Sequence, residues 1–248
     1  MELVIVGSGK MAISILEGIR KNFDITVVAR DETVLAKLEK KYKINTAKLD
    51  SYNIHGKNIL IAVKPYALKS ISSNLVGRAN LTLSVLAGTS IQTLKQTIKS
   101  NHYIRVMPNL AATYKKSMTT VTGDEKFKEM AISICQSFGD VLWVNSEKEL
   151  DIATAVAGSG PAFLALVAEA LSDGAVKEGL KRDDANLLVK GLFEGFVPLL
   201  KANHPALLKD AVMSPGGTTA AGYSALEEGK TRDSFIKAIT KAYERTLK

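Results

Sequence analysis

The chain has 248 residues, 46% hydrophobic and 23% charged, the balance of a folded globular protein with one large or two modest domains and not of a disordered chain. Its net charge of +8 lies wholly within residues 1–150, which carry 21 Lys and Arg against 13 Asp and Glu, while residues 151–248 hold 12 of each. With aromatic residues at 6%, that surplus does not read as a nucleic-acid surface; a lone Cys135 excludes an internal disulfide or a cysteine metal cluster; and no run of eighteen apolar residues predicts a membrane span.

The first strand signal, Leu3–Val6, comes so early that no signal peptide is expected before it, and a cytoplasmic setting follows. Further short apolar or β-branched runs lie at Ile25–Ala29, Asn58–Val63, Leu81–Leu86, Tyr103–Val106, Met118–Val121 and Val141–Val144. Helical patterns fall between several of them, at Met11–Lys21, Glu32–Tyr42 and Ile91–Ser100. Lys37, Lys40, Lys41 and Lys43 read as the solvated face of the second of these helices. Alternation of this kind predicts an α/β fold, an N-terminal Rossmann-like doubly wound sheet over residues 1–150. From Asp151 the strand signal stops. Segments rich in Ala, Leu and Glu at 160–179, 183–202, 205–213, 218–228 and 231–247 predict a smaller all-α domain over 151–248. Pro161–Leu171 is apolar around much of its circumference, more than a domain of this size can cover alone, so an intertwined homodimer is expected.

The opening residues carry the first chemical signal. Gly7-Ser8-Gly9-Lys10-Met11-Ala12 follows a strand, opens a helix and fits G-x-G-x-x-G/A. Gly7 permits the tight turn, Gly9 lets the backbone approach a pyrophosphate, and Ala12 lets the helix pack close to the strand. At the end of the second strand, Ala29 leaves room and Arg30 offers a charge-assisted contact to a 2′-phosphate, which predicts NADPH in preference to NADH. Asp31 is assigned to capping the helix that begins at Glu32. Three more strand ends carry turn or polar residues: Val63-Lys64-Pro65, Ala87-Gly88-Thr89 and Met107-Pro108-Asn109. Together they suggest a crevice for the nicotinamide. Gly158-Ser159-Gly160-Pro161 suits either a structural helix start or a functional turn. In Ser214-Pro215-Gly216-Gly217-Thr218-Thr219, two glycines and two threonines at a helix start predict a small anion site suited to one carboxylate.

What is missing also informs. His55, His102 and His204 show no metal-ligand spacing, so no metal is expected, and no nucleophile–base set or paired carboxylates stand out. A carbonyl reductase usually wants a proton donor near the oxygen. A protonated imine is already electrophilic and needs mainly to be held at the right distance from the nicotinamide.

Taken together, Gly7–Ala12, Ala62–Pro65, Ser84–Ile91, Arg105–Asn109, Gly158–Pro161, Glu169–Leu180 and Asp210–Gly222 resemble the pyrroline-5-carboxylate reductase family over nearly the whole chain. The resemblance implies a helical dimerisation domain and reduction of a small cyclic imine to proline with NAD(P)H. It implies cofactor contacts at Gly7, Ser8, Gly9, Lys10, Met11, Arg30, Val63, Lys64 and Ala87, to which the crevice reading adds Pro65, Gly88 and Asn109. It implies that Gly216, Gly217, Thr218 and Thr219 hold the substrate carboxylate, with Thr219 and Ser214 as the catalytic pair: Thr219 supplies the key hydroxyl and Ser214 shapes the pocket. It also implies a site completed across a homodimer or a larger assembly built on dimers. Ala157, Leu110, Ala111 and Ala211 depart from the family pattern. A β-hydroxyacid dehydrogenase is a rival with the same two-part plan, but it would need a lysine on the helix after Gly160, and none occurs before Lys177. A non-catalytic NADPH-binding scaffold is the rival from another class, and a basic DNA-binding protein a distant third.

Overall fold

The computed structural model describes residues 2–247. In chain order its elements are β1 (Glu2–Val6), α1 (Lys10–Ile19), β2 (Asp24–Ala29), α2 (Glu32–Tyr42), β3 (Asn45–Lys48), β4 (Tyr52–Asn53), β5 (Asn58–Ile61), α3 (Leu68–Ser72), β6 (Leu75–Val76), β7 (Ala79–Ser84), α4 (Ile91–Thr97), β8 (Ser100–Met107), β9 (Ser117–Gly123), α5 (Lys128–Gln136) and β10 (Gly139–Trp143). Helices follow: α6 (Glu147–Ala153), a π turn (Thr154–Gly158), α7 (Gly160–Lys177), α8 (Arg182–Ala202), α9 (Pro205–Val212), α10 (Thr218–Glu228) and α11 (Thr231–Thr246).

Eight strands form one sheet in the order β10-β9-β8-β7-β5-β1-β2-β3, parallel except where β9 runs antiparallel to β8. Side-chain alternation divides the core between the two faces. Leu3 and Ile5 of β1 join Ile15, Leu16 and Ile19 of α1 and Leu35 and Leu38 of α2 on one side. Val4 and Val6 join Leu68 and Ile71 of α3 and Leu94 of α4 on the other. The period-2 geometry of a strand sends successive residues to opposite faces, so a continuous apolar run belongs in a sheet covered twice. Cys135 lies fully buried on α5, where desolvation pushes its thiol well above the ordinary cysteine range, so it acts as a packing residue.

The strand order reverses between β1 and β5. Their carboxyl ends are where an open sheet leaves room for a ligand.

One expectation changes. The predicted helix Ile91–Ser100 ends at Thr97, because Ile98 turns extended and Ser100 already starts β8. By their internal packing the residues group into compact units that meet between Ser159 and Gly160. Helix α6 stays with the sheet because Arg105 of β8 binds Glu147 and Asp151, and Leu150 packs with Met107 and Val144. A segment from Ala242 onward also belongs to the first unit.

The second unit, Gly160–Lys241, is entirely helical and buries little: Ser172 on α7 and Ala185 on α8 are its only fully buried residues. The π turn joins α6 and α7 into one run, Glu147–Lys177, with a mean hydropathy of 1.6 over its most apolar eighteen residues. By length and composition alone it could cross a membrane.

Candidate active site

A cavity of about 890 Å³ opens in the first unit at the carboxyl ends of β1, β2, β5 and β7. That volume suits a cofactor-sized ligand. Gly7 ends β1 with φ +126°, its N–H donating to the Val28 carbonyl at 2.8 Å. A Cβ on Gly7 would lie 2.4 Å from the Ala62 carbonyl oxygen, so no other residue fits between the two strand ends. Gly9 is different. It caps α1 in an extended conformation, and a Cβ there would meet nothing within 4 Å. The protein does not need glycine at that position for its own packing; the bare backbone leaves space for a ligand. No side chain caps α1, and no acid lies in its first turn. The N–H groups of Lys10, Met11 and Ala12 precede the first helical bond, from Ile13 to Gly9, and stay free to bind an anion.

Ten of the twelve residues expected at the cofactor line this cavity: Gly7, Ser8, Gly9, Lys10, Met11, Arg30, Val63, Lys64, Pro65 and Ala87. Val6, Val28, Val85 and Leu86 give it an apolar floor, and Lys10, Arg30 and Lys64 bring positive charge. These features suit an anionic dinucleotide. Asp31 is not part of the lining: its Oδ1 accepts the N–H groups of Thr33 and Val34 at 2.9 and 3.1 Å, as an N-cap does.

Gly88 and Asn109 are the exceptions. Gly88 has φ +66°, and the position of its missing Cβ faces the Thr246 carbonyl at 3.3 Å. Asn109 is buried, and both ends of its side chain are taken: Oδ1 accepts from the Ala111 N–H and Nδ2 donates to the Ala157 carbonyl, each at 3.0 Å. Neither lines the cavity.

Other lining residues escaped the sequence reading. Tyr66, 87% exposed, follows Pro65 in a 3-10 turn at the cavity mouth. Leu49 arrives through β3, whose sequence Asn-Thr-Ala-Lys carries no apolar alternation. Thr154 comes from the π turn. Only the exposed aromatic beside a proline could have signalled itself. None of the three histidines lies in the cavity lining; His204 caps α9 through Nδ1, and His102 pairs with Asp124, whose carboxyl that hydrogen bond holds below the usual range.

The anion loop lies in the second unit. Ser214-Pro215-Gly216-Gly217 forms a tight turn closed by the Gly217 N–H donating to the Ser214 carbonyl at 3.0 Å. Proline second and glycine third, at φ +69°, are what a type II turn requires. A Cβ on Gly217 would lie 2.3 Å from Ser214 Oγ, so the Ser214 side chain folds over the glycine that ends the turn. Gly217 then caps α10 without a side-chain cap, and no acid follows in the first turn. The N–H groups of Thr218, Thr219 and Ala220 precede the first helical bond, from Ala221 to Gly217. The Thr218 and Thr219 side chains are exposed. Among the described residues no three His, Cys, Asp or Glu side chains gather as metal ligands.

Known proteins resemble the chain along its length. Residues 147–248 match the family model for pyrroline-5-carboxylate reductase dimerisation, and residues 2–88 match the model "NADP oxidoreductase coenzyme F420-dependent". The pyrroline-5-carboxylate reductase of Helicobacter pylori (strain J99) is 36% identical over 95% of each chain, and that of Synechocystis is 35% identical over 99% of this chain and 97% of its own. Among solved structures, the 1-pyrroline-5-carboxylate reductase of Streptococcus pyogenes superposes with a TM-score of 0.90 at 26% identity, covering 100% of this chain and 98% of its own. The Plasmodium falciparum enzyme with NADP bound gives 0.84 at 27% identity, with the same coverage.

Proposed function

The chain belongs to the pyrroline-5-carboxylate reductase family, and on that premise we propose that it reduces the cyclic imine 1-pyrroline-5-carboxylate to L-proline with NADPH, the last step of proline biosynthesis. The observation that carries this reading is the cavity at the ends of β1 and β5, where a glycine-bared helix N-terminus meets a rim of three cations. When bound, the dinucleotide supplies the hydride. The work of the protein is to bind and orient.

In this reading the residues 1–150 hold the dinucleotide. The free N–H groups of α1 receive its pyrophosphate, and Arg30 receives the 2′-phosphate. Asp31 has one carboxylate oxygen engaged by the α2 backbone and is read as a helix cap and not as a partner for a ribose diol. That is the basis for preferring NADPH over NADH. Residues 151–248 supply the substrate and assembly functions. The turn at Gly216–Thr219 binds the carboxylate through backbone N–H groups and the Thr219 hydroxyl, and Ser214 holds the turn in shape. A protonated imine needs no further proton donor for hydride addition, which fits a site built for positioning. The bare helices of the second unit, including the apolar run to Lys177, are read as the face of a homodimer or a larger assembly built on dimers, in a soluble cytoplasmic enzyme.

The test follows NADPH absorbance with racemic pyrroline-5-carboxylate. Turnover is expected, with a higher kcat/KM for NADPH than for NADH. Thr219→Ala is expected to raise KM for the imine about tenfold, the loss of one charge-assisted hydrogen bond, while NADPH affinity holds. Tight NADPH binding without turnover would instead mark a scaffold. Equal losses for imine and cofactor would put the anion site in the wrong place.

A further inference from the structure

In the π turn the Ser159 N–H reaches back five residues to the Thr154 carbonyl, at 3.2 Å. Such turns are rare and concentrate at functional sites. This one presents Thr154, Gly158 and Ser159 to the cavity wall near Met107 and Pro108. A Cβ on Gly158 would meet nothing closer than Thr154 Cγ2, at 3.5 Å. The fold would accept a larger residue there, so the bare backbone serves the cavity and not the packing.

A gap in the helical hydrogen bonding explains what holds the turn. Four residues beyond Ala157 stands Pro161, which has no N–H. The Ala157 carbonyl therefore has no donor four residues on, where an α-helix would supply one. Asn109 supplies one from outside the helix, through Nδ2 at 3.0 Å, and the residue is only 9% exposed. Its own N–H donates to Ser117 Oγ at 3.1 Å, and its Oδ1 is taken by Ala111, so the amide has little freedom to turn. Arg105 secures the preceding helix independently. Its guanidinium, 2% exposed, reaches Glu147 at 3.0 Å and Asp151 at 2.7 Å, and Glu147 also accepts the Ile91 N–H at 2.8 Å.

We propose that Asn109 is a positioning residue for hydride transfer: by giving Ala157 the donor that Pro161 lacks, it fixes the π turn and sets Gly158 and Ser159 at the nicotinamide end of the cavity. Asn109 and Pro161 are thus one interlock. The role in transfer rests on the proposed reductase activity; the interlock itself does not.

The experiment compares Asn109→Ala, Asn109→Asp, Pro161→Ala and the double variant Asn109→Ala/Pro161→Ala in the full chain. Asn109→Asp keeps an acceptor for Ala111 and loses the donor to Ala157; if Asn109→Ala fails to fold, it carries the same readings. In cofactor-free protein, amide hydrogen exchange over residues 154–159 is expected to speed up about tenfold in both Asn109 variants. Pro161→Ala returns an N–H to position 161, so the double variant is expected to regain protection. With NADPH and the imine, both Asn109 variants are expected to lose about tenfold in kcat, with NADPH affinity within about twofold of wild type and a larger isotope effect from deuterated NADPH, as misplacement slows the chemical step. Unchanged exchange in the Asn109 variants, or no recovery in the double variant, would overturn the interlock. Faster exchange with an unchanged kcat and isotope effect would overturn the positioning role. A wild-type chain that binds NADPH yet fails to reduce the imine overturns the reductase reading and the positioning role with it, and exchange then judges the interlock alone.

Discussion

The sheet unit and the helical unit are both rich in aliphatic residues, yet they treat them in opposite ways. Leu3, Val4, Ile5 and Val6 have no exposed surface, because α1 and α2 cover one face of β1 and α3 and α4 the other. In the helical unit, Leu187 stays 71% exposed and Leu207 66%, and α9, α10 and α11 bury no residue fully. A sheet closes its own core when the chain crosses back and forth over both faces. A handful of helices with apolar surface all round cannot, and must be covered by something else. The first unit covers its own apolar residues, while the second leaves most of its own bare within the single chain.

The largest effect is expected from attacking the bare surface. Leu188 and Leu192 stand one helical turn apart on α8 and share a face. Leu188→Glu/Leu192→Glu is expected to leave a monomer by sedimentation and to remove the thermal transition of the helical unit, since each buried leucine contributes about 2 kcal/mol. A dimer of unchanged stability would show that these helices are covered by something other than a second copy. Next comes the tight centre of the sheet unit. Gly7→Ala brings a Cβ against the Ala62 carbonyl and is expected to cost about 2–3 kcal/mol in denaturant unfolding and to abolish NADPH binding, with the oligomeric state intact. Wild-type stability in that variant would mean the strand ends can part enough to relieve the 2.4 Å approach of the new Cβ to the Ala62 carbonyl oxygen. The smallest effect sharpens the contrast at a single cap. Asp31→Ala is expected to cost about 1 kcal/mol and to leave the ratio of NADPH to NADH efficiency unchanged, because the carboxylate serves the helix. A large change in that ratio would show Asp31 acting on the cofactor.

Much of this was legible in the residues. The span Glu32–Tyr42 is a helix from end to end, with Asp31 as its cap, because capping chemistry and 3.6-residue periodicity both act locally. The glycine turn was legible for the same reason: strand, turn and helix lie next to one another in sequence. The strands at Asn45–Lys48, Tyr52–Asn53 and Leu75–Val76 were not. The first is a polar edge strand, the other two are two-residue strands that pair only with each other, and hydrogen bonds to neighbours, not their own pattern, make them strands. Asn109 is instructive. As the polar end of an apolar run it reads as a ligand for the cofactor, and only the structure shows its amide donating to the Ala157 carbonyl, far away in sequence.

The sequence alone determined what depends on neighbours along the chain: the longer strands and helices, their caps, and the glycine turn that opens the first helix. Tertiary structure alone decided which polar groups are spent and which remain free. Asp31 and Asn109 are both short polar residues at strand ends, and only their partners show that one caps a helix and the other donates to the carbonyl of Ala157. A buried hydrogen-bonding group must find a partner wherever in the chain that partner lies, so its role follows from proximity in space and not from order in sequence.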